Sequence, residues 1–202
     1  MALRDAHWRG WEKVIGHPFL RLVSENALSQ RSAQAWIEQN YHFVEGMLAF
    51  QADLLKRAPQ RHRLVLANGL SSIVEDLDWM LYQPIDLAAP PHPARQRYIA
   101  FLRMLGQQPY PVGITGLWAI NRIFHDAWNA AAPRSRAFMN LAEHWSLPEF
   151  MAYLHDLSEA AAEALDAASE DEVRRINALI EEIIRLELAS WDMAQAFAKA
   201  YG

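Results

Sequence analysis

The sequence predicts an all-α bundle in one domain spanning residues 1–202, and three observations carry that expectation. Apolar residues recur at steps of three and four nearly throughout. No run shows strict apolar–polar alternation with β-branched enrichment, the pattern of a half-buried strand. The connections are short and punctuated by Pro, Gly or capping residues.

Taken in order, a short helix is expected from about Arg4 to Ile15, ending at Gly16. His17-Pro18 restarts the chain, because proline suits a first helical turn, and a helix follows to Asn26. Ser29 or Gln30 opens a long helix to Ala58, stopped by Pro59. Another spans Arg61 to Tyr82 and ends before Pro84. Leu87 to Pro93, about seven residues, joins helices rather than domains. Ala94 to Leu105 is helical and ends at Gly106, and Pro109-Tyr110-Pro111 reads as a turn. Gly113 to Ala131 is helical, with a shorter helix between Pro133 and Trp145. Ser146, Pro148 and Glu149 have the spacing of a capped helix start, and that helix runs to Ala167. Ser169 and Glu172 form a second capping box, opening a last helix to Lys199.

Composition narrows the chemistry. With 202 residues, 52% of them hydrophobic, the chain can bury a sizeable single core. The absence of cysteine excludes a disulfide scaffold, a thiolate zinc site, an iron–sulfur cluster and a thiol nucleophile. The formal charge of −5 offers no basic surplus for nucleic acid or an anionic membrane. The first residues lack the apolar core of a signal peptide. The charge-free stretch Gly106–Asn121 is broken by Pro109, Pro111, Gly113 and Gly116, so it does not read as a membrane span. A soluble cytoplasmic protein is expected.

Polar residues on apolar stripes are the candidates for function. In the last helix Val173, Ile176, Ile180, Ile183, Glu187, Trp191 and Ala194 form one stripe, with the carboxylate of Glu187 in its middle. Burial raises a carboxyl pKa, which suits a general acid or base. Asn40 shares a face with Trp36, Phe43, Val44 and Met47. Asp76 lies with Ile73, Leu77 and Met80, close to Trp79. Asn121 lies with Leu117, Phe124 and Trp128. Converging, these groups would line an aromatic pocket with a few fixed polar contacts. The alternative for each is a core polar residue satisfied by a neighbouring helix. No Glu-x-x-His pair is present and the eight histidines are scattered, so neither a di-metal site nor a cofactor is expected. There is no dinucleotide fingerprint, phosphate loop or nucleophile elbow.

With those residues in view, the chain resembles the TenA family of thiamine-salvage proteins, helical bundles of the heme-oxygenase-like fold, and most closely its cysteine-lacking plant-type branch. The likeness runs from His17-Pro18-Phe19 to Met193. It is carried by Trp36 to Val44, Val74 to Trp79, Tyr98 to Leu102, Tyr110-Pro111-Val112, Trp118-Ala119-Ile120, His144-Trp145, Glu149-Phe150, Tyr153, Glu187-Leu188, Trp191 and Met193, in the family's order and spacing. The resemblance implies a pocket for a thiamine-derived aminopyrimidine and, in this branch, hydrolysis that removes formyl or amino groups. The family's C-terminal acid falls on Glu187, which implies the acid/base there. Its pyrimidine-binding Asp falls on Asn40, the acid after Ala-Ile on Asn121, and the following Tyr on Phe124. An amide can donate and accept but cannot act as a base. The expected site therefore has Glu187 as catalytic acid/base and Asn40, Asp76 and Asn121 orienting the ligand. Phe43, Phe124, Trp79, Trp118 and Trp191 complete the aromatic wall. The alternatives are a binding protein that has lost the chemistry, and a cofactorless or metal-dependent oxidase of the same fold. Eight tryptophans exceed what one core plausibly needs, so part of the aromatic surface is assigned to subunit contact. The resemblance implies a homodimer or homotetramer.

Overall fold

The computed structural model describes residues 2–131 and 148–202. All regular structure among these residues is helical. The elements are α1 (Ala2–Ala6), α2 (Trp8–Ile15), α3 (Pro18–Ser24), α4 (Gln30–Arg57), a 3-10 turn (Gln60–His62), α5 (Arg63–Leu81), α6 (Pro93–Leu105), α7 (Tyr110–Ala131), α8 (Pro148–Asp166) and α9 (Glu170–Tyr201).

The starts follow from local chemistry. Ser29 accepts from the Ser32 amide at the head of α4. His17 and His92 use their Nδ1 atoms in the same way, each followed by a proline in the first turn. Ser169 and Glu172 close the expected capping box on α9. Two expectations change. The helix predicted over Arg4–Ile15 is interrupted at His7, whose ring bonds Asn177 of α9 at 2.9 Å. The turn predicted at Pro109-Tyr110-Pro111 is the opening of α7, where the missing proline N–H costs nothing. The helix expected between Pro133 and Trp145, and the caps expected from Ser146, lie outside the described residues, as do His144 and Trp145.

Helix α4 is the central column and packs on α5, α6, α7 and α9. At one end Trp191 stacks on Phe19 at 5.6 Å and on Trp36 at 6.4 Å, and Trp128 meets both indoles edge-on. This cluster ties α3, α4, α7 and α9 together. Five of the seven described tryptophans (Trp11, Trp36, Trp118, Trp128, Trp191) are core residues. The aromatic surplus assigned to subunit contact is therefore mostly absorbed inside one chain, and tryptophan content ceases to argue for association. No helix among the described residues is long and apolar enough to cross a membrane.

The amino-terminal helices are anchored at Asp126 of α7. Its carboxylate accepts from Trp11 Nε1 at 3.0 Å and pairs with Arg4 and Arg122. Burial pushes this carboxyl up, but the His125 hydrogen bond, the two guanidiniums and the Trp11 donor together hold it below its usual value.

Candidate active site

One cavity of about 120 Å³ opens between α4, α5, α7 and α8. Its size is on the order of an engineered apolar cavity of about 150 Å³ that accepts a benzene ring. Each wall follows from helical periodicity. Asn40, Phe43, Met47 and Gln51 recur at steps of three and four along α4, Asp76 and Ile73 face them from α5, and Asn121 and Phe124 come from α7. Glu149, Phe150 and Tyr153 close the side formed by α8.

Five of the nine residues expected at the site line this cavity: Asn40, Phe43, Asp76, Asn121 and Phe124. Asn40 is buried. The Asn121 amide nitrogen donates to the Leu117 carbonyl of its own helix at 2.9 Å, which leaves Oδ1 as the remaining acceptor. Trp118, Trp79, Trp191 and Glu187 are not part of the lining. Trp118 turns toward α2 and α8, where it packs on Trp11 and donates to Ser158 at 3.1 Å. Residues 112–120 of α7 are buried on every side, so membership of an apolar stripe does not say which neighbour a residue meets. Trp191 belongs to the aromatic cluster with Phe19, Trp36 and Trp128. Trp79 is half-buried, one turn past Asp76.

Glu187 is buried, as its stripe predicted, but one side chain behind the cavity wall. Its Oε1 accepts from the Tyr98 hydroxyl at 2.6 Å. The Tyr98 ring lies 4.7 Å from Phe43, and the Arg95 guanidinium sits 5.0 Å over the same Phe43 ring. Arg95 is itself buried and donates to Ser190 at 3.3 Å. Burial pushes the Glu187 carboxyl up to about 7, partly opposed by the Tyr98 bond and the Arg95 charge. Burial likewise lowers Arg95 to about 10, against the pull of Glu187. Phe43 thus has two faces of duty, one on the cavity and one on this polar cluster.

Sequence reasoning missed several groups. Gln51 lies one further step along the stripe that already held Asn40 and Met47, so extending the period would have reached it. Arg95, one turn before Tyr98 on the apolar side of α6, carried the same signal as Glu187: a charge on a buried stripe. Glu75 and Glu149, both exposed at the cavity, had no periodic signature to find. Among the described residues the one grouping with metal-ligand chemistry, His155, Asp156 and Glu159, lies exposed on α8 and outside the cavity lining.

Residues 4–81 match the TENA/THI-4/PQQC family. A Glycine max protein, named "Probable bifunctional TENA-E protein", is 23% identical over 195 residues, covering 89% of this chain and 85% of its own. A TenA homologue from Pyrococcus furiosus superposes with a TM-score of 0.90 at 22% identity, covering 96% of this chain and 98% of that one. A protein described as a candidate TenA-like thiaminase from Sulfolobus solfataricus gives 0.77 at 15% identity, covering 96% and 94%. A heme-oxygenase-like domain from Shewanella denitrificans gives 0.57 at 16% identity, covering 99% and 93%. At these identities the structural likeness carries the fold: the chain is an all-α, heme-oxygenase-like bundle, as its TenA resemblance implied.

Proposed function

We propose that this TenA-like protein binds a flat, thiamine-related aminopyrimidine in the cavity and hydrolyses a C–N bond on it. The observation that carries this reading is the convergence of Asn40, Asp76 and Asn121, from three helices, on one cavity walled by Phe43, Phe124 and Phe150. Aromatic walls with a few fixed polar groups suit a small planar heterocycle. The described lining carries Glu75, Asp76 and Glu149 and no basic side chain. That balance favours a neutral or cationic ligand over a phosphorylated one.

In the hydrolysis, the oxygen of water bonds to the carbon of the scissile C–N bond, that bond breaks, and the leaving nitrogen gains a proton. A carboxyl near 7 is poised to take a proton from water and return it to nitrogen. Glu187 has that pKa, and Tyr98, which donates to it and packs on Phe43, links it to the cavity wall. Calorimetry and product assay with thiamine, its monophosphate and an N-formyl aminopyrimidine test the proposal together. The pyrimidine and thiamine should bind more tightly than the monophosphate. Glu187→Gln should keep that affinity and lose about 100-fold or more in turnover. Full turnover by Glu187→Gln removes the role.

A second reading is favoured by the position of Glu187 behind Phe43 and by amides at Asn40 and Asn121, which cannot serve as bases. In that reading the protein binds the same ligand without turning it over. Measured product from the wild type rejects it.

A further inference from the structure

The cavity lining holds two buried polar groups whose hydrogen-bonding capacity the protein does not fill. Gln51 is fully buried, and its Nε2 donates to the Leu66 carbonyl at 2.9 Å. Because that partner is an acceptor, the amide orientation is settled, and Oε1 is the atom left without a hydrogen bond. Tyr153 is 8% exposed; the Gln51 amide lies against its hydroxyl oxygen, and its O–H is left without an acceptor. Both residues line the cavity. Leaving these capacities unfilled is costly, so the pair favours a ligand edge that offers complementary chemistry.

Gly69 makes room for this pair. A Cβ at that position would collide with the Gln51 amide nitrogen and would stand 2.7 Å from the Tyr153 hydroxyl. Three helices therefore meet here: α4 brings an acceptor, α8 brings a hydroxyl, and α5 brings the one residue without a side chain.

We infer that Gln51 and Tyr153, across the gap at Gly69, form a subsite that reads a ligand edge carrying an N–H donor beside an acceptor, as in an amidine or amide. Gln51 Oε1 accepts from the donor, and the Tyr153 hydroxyl donates to the acceptor. A 4-aminopyrimidine presents such an edge through its exocyclic amine and adjacent ring nitrogen. This assignment rests on the heterocycle reading of the cavity and extends it. It gives the edge recognition to side chains other than Asn40.

The test is calorimetry on the full chain with two probes: 4-aminopyrimidine, and aniline, which keeps the amine but has carbon at the ring positions. Tyr153→Phe keeps the ring and removes only the hydroxyl. It should weaken 4-aminopyrimidine by about 3–10-fold, the worth of one neutral hydrogen bond, and leave aniline within about twofold. Gly69→Ala should reproduce that loss of discrimination. If Tyr153→Phe changes both probes alike, or neither, the subsite is overturned, as it is when the pair holds only a water. If the wild type binds neither probe, the heterocycle reading of the cavity fails and the subsite fails with it.

Discussion

Replacing Glu187 by Gln removes a buried carboxyl, and it should change how stability depends on pH. In the folded protein this group titrates near 7, against an ordinary value of 4.5. The folded state therefore holds the proton more tightly than the unfolded chain. Its contribution is fully present below about pH 4.5 and is lost as pH rises through 7. At about 1.4 kcal/mol for each unit of pKa, the loss is on the order of 3 kcal/mol. Gln is isosteric, stays neutral, and keeps an oxygen for the Tyr98 hydroxyl. The variant should match the wild type near pH 4, where the carboxyl is protonated in the folded protein and largely so in the unfolded chain. Near pH 8 it should be the more stable of the two. Urea unfolding at both pH values reads this directly. With a slope of about 2 kcal/mol per molar urea, the midpoints should coincide at pH 4 and separate by about 1–2 M at pH 8. A separation that is the same at both pH values would refute the raised pKa, and with it the idea that burial prepares this group for proton transfer.

Two further perturbations separate the parts of the fold. Asp126 is held below its usual pKa, so its contribution is present above the unfolded value and is lost as pH falls through the folded one. Asp126→Asn should lower the melting temperature at neutral pH and flatten its fall as pH drops below about 4; an unchanged acid limb would refute the Arg4–Trp11–Asp126 anchor. Trp191→Ala should cost about 3–5 kcal/mol in chemical denaturation, because it empties the stack between Phe19 and Trp36. Below the melting transition it should leave aminopyrimidine affinity within about twofold, since Trp191 lies off the cavity; a large loss of affinity with little loss of stability would return it to the ligand wall.

What the sequence determined by itself was the local grammar and the hidden charge. Helix starts at Ser29 and Ser169, proline in first turns, and stripes at steps of three and four are properties of neighbouring residues, so they are legible along the chain. The burial of Glu187 was legible for the same reason: six apolar companions on one stripe leave a carboxylate nowhere else to lie. Asn40, Asp76 and Asn121 could be nominated in the same way. What only the tertiary structure decided was which stripe meets which. Trp118 and Asn121 stand one turn apart on a helix buried over residues 112–120, yet one packs on Trp11 and the other faces the cavity. Glu187 and Phe43 are both buried, but only the packing of α6 against α4 puts Tyr98 and Arg95 between the acid and the cavity wall. The open pair at Gln51 and Tyr153 depends on Gly69, in a different helix, lacking a Cβ where one would collide. Periodicity says that a side chain is covered; what covers it is set by the crossing of helices distant in sequence, and that crossing is what separates a pocket from a core.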